Sequence, residues 1–178
     1  MTPRDRRYPR AGVSHLHALV LFTGCLLLGG CREAPPPLTG TFASPEALAS
    51  AVTDALSRSD AAGLAGLALS EEEFRRYVWP ALPVSRPERN VPFDYVWKDL
   101  QAKSRAHLAA RLNDPALRGL TVTEVAFDGE ATEYSGFTVV RKARLHVRDA
   151  EGVARSVRLF GSMLRKDGRY KLFSYVVD

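Results

Sequence analysis

The chain has 178 residues, 46% hydrophobic and 25% charged, which suits one globular domain with appendages and excludes a disordered polymer. Four of its 25 Lys and Arg and one of its 20 Asp and Glu fall in residues 1–30, leaving 21 against 19 beyond; most of the basic excess belongs to the leader, which argues against nucleic acid as a partner. Both cysteines, Cys25 and Cys31, precede the body, which excludes an internal disulfide, a thiolate zinc site and a cysteine nucleophile there.

The leader has three parts. Arg4, Arg6, Arg7 and Arg10 open it, an apolar run covers 16–28, and small residues lead to Cys31. A charged start, a short apolar middle and a small-residue cleavage zone make an export signal. The run is shorter than the roughly 20 residues of a spanning helix. Leu28-Gly29-Gly30-Cys31 resembles the lipobox of bacterial lipoproteins, with an ordinary signal peptide as the alternative. The resemblance implies a signal peptide over 1–30, cleavage between Gly30 and Cys31, and fatty acyl chains such as palmitate on Cys31. Two or three chains hold a body stably on a membrane where one does not. Arg32 follows the cysteine where an aspartate would signal retention. Under the best-studied Gram-negative sorting rule this favours the outer membrane, facing the periplasm. Residues 31–42 then comprise the lipidated cysteine and a tether stiffened by Pro35, Pro36 and Pro37, or an arm packed on the domain.

The domain is expected over 43–178. Ser44-Pro45-Glu46 is a helix start, and Leu48, Val52, Ala55 and Leu56 recur at helical spacing up to about Ser59. Asp60 caps a second short helix carrying Leu64, Leu67 and Leu69. Ser70-Glu71-Glu72-Glu73 is a capping box, and the helix it opens runs to Trp79, before Pro80. Residues 80–92, with four prolines, read as a loop. A longer helix spans 93–112, with Phe93, Val96, Trp97, Leu100, His107, Leu108 and Leu112 as its stripe, closed by Asn113-Asp114-Pro115.

After residue 119 the period changes to two. Four strands are expected, near 120–127, 137–147, 155–164 and 169–177. In the first, Leu120, Val122 and Glu124 share one face. Lys166-Asp167-Gly168-Arg169 is a hairpin, and Gly161 marks a bulge or bend. Helices followed by strands make an α+β fold, with the Trp-bearing helices covering one face of a curved antiparallel sheet.

This order, with "RSDAAGLAGLAL" (58–69) and "GRYKLFSYVVD" (168–178), resembles nuclear transport factor 2-like domains, in which a curved sheet wraps on helices as a cone. The chain is also similar to uncharacterised bacterial lipoproteins carrying such domains. The resemblance implies a mouth that binds small molecules and, in some members, an interior that performs isomerase, dehydratase or hydrolase chemistry with Asp, Tyr and His.

The candidate pocket residues are Tyr77, Trp79, Tyr95, Trp97 and His107, though helical spacing favours core packing for the aromatic ones. Asp94, Asp99 and Tyr134 complete the polar set; no spacing among them matches a catalytic pattern, and no catalytic role is assigned. Lys142, Arg144, His146 and Arg148, joined by Arg158, form a basic row balanced by Glu124 and Glu133. No cofactor or metal is expected. The expectation is a membrane-anchored, non-catalytic binding or interaction module, with an envelope protein or small apolar ligand as its further partner; the alternative is a small-molecule enzyme using the cone interior.

Overall fold

The structure is a computed structural model and describes residues 36–177. The signal peptide, the Gly30/Cys31 cleavage point and the lipidation site Cys31 lie outside the described residues.

Local chemistry sets the helices. Helix α1 (Pro45–Ser57) starts where Ser44 Oγ accepts from the Ala47 amide at 3.1 Å, and α2 (Ala61–Leu67) where Asp60 accepts from the Gly63 amide at 2.7 Å. The capping box forms as read: Ser70 Oγ accepts from the Glu73 amide, and Glu73 Oε2 from the Ser70 amide at 2.9 Å. Helix α3 (Glu71–Glu73) continues as a π-helical turn (Phe74–Val78), since the Trp79 amide reaches back to the Phe74 carbonyl. Pro80, lacking an N–H, ends it. The expected loop folds as three 3₁₀ turns, Trp79–Ala81, Pro83–Ser85 and Pro87–Arg89, each with proline in its first positions. Helix α4 occupies Phe93–Leu112, as its stripe predicts.

The sheet differs from the expectation in strand count. Seven strands replace four: β1 (Thr121–Phe127), β2 (Thr132–Tyr134), β3 (Phe137–Arg141), β4 (Ala143–Arg148), β5 (Ala154–Val157), β6 (Ser162–Lys166) and β7 (Arg169–Ser174). They form two antiparallel sheets, ordered β1-β4-β5 and β2-β3-β6-β7. The four expected strands survive as four arms of one meander, three of which are broken at the same level. The breaks fall at 128–131, at Lys142 with φ +54°, and at 158–161. Across them the Asp128 amide donates to the Lys142 carbonyl, the Ala143 amide to Gly161, and the Gly161 amide to Val176. Gly161 therefore sits at a bend, as expected. Asp167 and Gly168 both have positive φ, which gives the expected hairpin a type I′ turn.

The face assignment of the first strand is corrected by a bulge. Val122 pairs with Val147 and Glu124 with His146, so Thr123 is the extra residue. Past it the faces exchange. Leu120 and Val125 are buried with Val122 and Phe127 packed beside them, while Glu124 turns outward.

Two apolar clusters result. One joins Leu48, Val52 and Leu56 of α1 to Leu145 and Val147 of β4 and to Met163 and Leu172. The other places Phe74 and Trp97 against Phe137, Val139 and Leu164. The centre of the four-stranded sheet is thus covered on both faces, with the Trp-bearing helices on the inner one. Tyr175 binds the layers together, donating its hydroxyl to the Leu64 carbonyl at 2.7 Å and its amide to Ser104 Oγ at 3.1 Å; burial pushes its hydroxyl pKa up.

The crease between the sheets is closely packed. A Cβ on Gly129 would lie 2.9 Å from Arg141 Cβ and 3.3 Å from the Arg141 carbonyl carbon. Gly129→Ala is expected to cost about 1–3 kcal/mol by overpacking, read as a lower urea midpoint with an unchanged slope.

Candidate functional site

Three strands build a polar row on the inner face. Arg141 of β3 pairs with Ser162 of β6, and Ser162 with Ser174 of β7. Directly opposed residues share a face, so the three side chains stand abreast. Ser162 pairs with Ser174 and Met163 with Leu172, which makes Phe173 a bulge residue, and both Phe173 and Ser174 reach the same side. Leu100 of α4 and Leu82 of the 3₁₀ segment join this row in lining a partly open pocket of about 180 Å³, with Val139 and Phe173 as further walls.

Among the described residues Arg141 is the only charged side chain lining the pocket, and no carboxylate or histidine joins it there. Its Nε donates to Thr132 Oγ1 at 3.2 Å. Among the described residues its two Nη atoms meet no protein acceptor, and no carboxylate pairs with it. Glu133 is engaged elsewhere, accepting from Thr138 at 2.7 Å and facing Arg165 at 3.6 Å.

The five residues proposed from the sequence do not form one pocket. Trp79 and Trp97 join an aromatic cluster with Phe74, Phe93 and Phe173, with ring centroids 5.3–6.5 Å apart. Tyr95 is 70% exposed, because two residues along a helix turn the side chain away from Trp97. His107 is half-buried beside Leu108, three turns from the aromatic cluster. Tyr77 lines a separate pocket of about 360 Å³ with Arg76, Phe137 and Lys166, and another of about 220 Å³ under Pro36, Pro37 and Thr39. Its hydroxyl is buried without a partner. Of the remaining polar set, Asp94 pairs with Arg75 and Asp99 with Lys103 on the exposed side of α4. Tyr134 alone reaches the inner pocket. Arg141 was missed because attention fell on the even-numbered basic row of Lys142, Arg144, His146 and Arg148; its place two and four residues along from Val139 and Phe137, on the apolar face, was the available signal.

The basic row itself is anchored by an unforeseen acid. Asp128, at the crease, takes Arg144 and, at 2.6 Å, Arg158. The Arg144 guanidinium first, with Arg158 assisting, holds its carboxyl below the ordinary value. Arg148 turns to the Gly152 carbonyl. Neither Glu124 nor Glu133 balances Arg144 or Arg158. Among the described residues no group of three or more His, Cys, Asp or Glu gathers for a metal, and no helix is long and apolar enough to cross a membrane.

The last part of the expected tether is bonded to the domain. Lys171 of β7 is 2% exposed. It donates to the Thr39 carbonyl at 2.7 Å and reaches both Glu73 oxygens at 3.0 Å. Glu73 also accepts from the Thr39 amide and hydroxyl. Phe42 exchanges two backbone bonds with Tyr170, and Arg169 grips Thr41. Burial raises the Glu73 pKa, but the Ser70 and Thr39 amides and the Lys171 ammonium outweigh it, leaving it lowered. A lowered folded pKa stabilises above the ordinary glutamate value of 4.5 and is lost as pH falls through the folded value. Glu73→Ala should cost about 3–5 kcal/mol by stranding Lys171. Glu73→Leu with Lys171→Met should recover the part due to the stranded ammonium but not the bonds to Ser70 and Thr39, and urea unfolding of the double variant should lose this acid-dependent part.

Compared with protein-family models, with curated proteins and with solved structures, the chain gives no significant match in any of the three.

Proposed function

We propose that the chain is a lipoprotein of the bacterial cell envelope, a non-catalytic binding module carried on a cone of the nuclear transport factor 2-like kind. Acyl chains on Cys31 hold it to the membrane, with the outer membrane facing the periplasm as its site. The observation that carries the reading is the sequence Leu28-Gly29-Gly30-Cys31 followed by a proline arm whose far end is bonded into the body at Thr39. Thr39 is eight residue steps from Cys31; a polyproline path of about 3.1 Å per step would span at most about 25 Å. An arm fixed at its body end gives the membrane a defined exit point from the domain, beside Glu72, Glu73 and Arg76.

The cone is supported by element order and by the meander creased at Asp128–Glu130, Lys142 and Gly161. A binding role is supported by the inner pocket, which has apolar walls and one polar row. An envelope protein or a small, mostly apolar molecule is its further partner.

Cys31→Ser in the full chain tests the anchor. The wild-type chain should incorporate labelled palmitate and fractionate with membranes after cleavage. The variant should take no label, retain its leader and lose the mature membrane-bound form at least tenfold. Mature protein pelleting with lipid at undiminished yield from the variant would overturn the anchor.

A further inference from the structure

The inner pocket combines features that point to a ligand of one charge type. Its walls are apolar, and its polar content is a row of Arg141, Ser162 and Ser174 across three adjacent strands. Arg141 has its Nε satisfied by Thr132 and, among the described residues, no protein acceptor for its Nη pair. The guanidinium is half-buried beside Leu82, Leu100 and Phe173, and water rather than the chain meets its Nη atoms, so an anion that displaces this water gains a charge-assisted pair in a partly apolar surrounding. By contrast, Arg144, Arg158 and Arg165 each have a carboxylate.

We propose that this pocket binds a small monocarboxylate with a short unbranched or compact apolar body, held by the Arg141 Nη atoms. The inference rests on reading the domain as a binding module and makes the ligand acidic at one end. A planar fork of parallel N–H donors matches the two oxygens of a carboxylate. A single guanidinium balances a single negative charge; a phosphate dianion calls for a second cation, and the lining has none. The Ser162 and Ser174 hydroxyls lie abreast of Arg141 to supply lateral hydrogen bonds. The pocket's 180 Å³ is below the roughly 300–1,000 Å³ of sites for drug-sized ligands, which limits the body to a few carbons. Leu82, Leu100, Val139 and Phe173 give that body an apolar lining.

The test uses the full chain purified from membranes into phospholipid nanodiscs, titrated calorimetrically with hexanoate and with uncharged hexanamide. Hexanoate is expected to bind in the millimolar range or tighter, and hexanamide at least about tenfold more weakly. Arg141→Gln should weaken hexanoate about tenfold and bring acid and amide within about twofold. Arg141→Lys should retain part of the preference, since it keeps the charge and loses the fork. Leu100→Trp, placed on the half-buried helix side, should fill the pocket and abolish binding of both with Arg141 intact. Far-UV circular dichroism and the unfolding midpoint report folding of each variant.

Equal affinity for acid and amide in the wild-type chain overturns the proposal. So does hexanoate binding that survives both Arg141→Gln and Leu100→Trp, or no binding at about 10 mM. None of these outcomes bears on acylation at Cys31, which the fractionation reads separately.

Discussion

Glu73 and Lys171 lie 98 positions apart in the chain and meet inside the protein. Two charges removed from water are tolerable only when their remaining hydrogen-bonding capacity is met. Here it is met by the capping amide of Ser70 and by the amide, hydroxyl and carbonyl of Thr39. One carboxylate therefore serves as helix cap, sheet contact and arm clasp. An apolar pair would fill the same space but would accept the arm in several registers. The ion pair accepts it in one, because the donors and acceptors of Thr39 have to meet both charges. Phe42 and Arg169 extend that register along the edge of β7, leaving the strand covered where an exposed edge would invite pairing.

The second organising constraint is the crease. A meander of long antiparallel arms twists smoothly unless bulges concentrate the bend. Here the bend is concentrated where Gly129, Lys142 and Gly161 lie side by side, and Asp128 ties arginines from two further arms across it. Arg141 is the last residue before the break in its arm. Its placement at the end of β3 puts a guanidinium next to the crease, in a pocket that Leu100 of α4 also lines. The pocket lies beside the apolar packing that fills the sheet centre.

Much of this was legible because it is local. Ser44, Asp60 and the Ser70–Glu73 box fix their helices through bonds spanning three residues, and each formed as read. Helix α4 was bounded by Pro92 and Asn113, and the Asp167-Gly168 turn by its own chemistry. Illegible features were those whose cause lies elsewhere in the chain. The Thr123 bulge depends on pairing with β4 and reverses the faces of a strand that alternation alone assigns wrongly. Period-two patterning marks an arm but does not register a break within it, so four arms read as four strands. Tyr95 was grouped with Trp97 by proximity in sequence, when helical geometry places them apart. The Glu73–Lys171 pair is invisible to any local rule, since Glu73 already has a complete explanation as a cap.

The two inward-facing cations show how differently the same cost is met. Lys171 is enclosed and every favourable contact to it comes from this chain: a carbonyl at 2.7 Å and a carboxylate at 3.0 Å. Its function is completed on folding, and the arm is the element it holds. Arg141 sits half-buried with one neutral acceptor on its Nε, and it lines a pocket of apolar walls and two serines. Folding leaves its electrostatics unfinished. A fold that pairs Lys171 so completely, and supplies carboxylates to Arg144, Arg158 and Arg165, has the means to pair Arg141 as well. Leaving that guanidinium open retains stabilisation to be gained when an anion arrives, which is the condition for selective binding in a pocket otherwise lined by hydrocarbon.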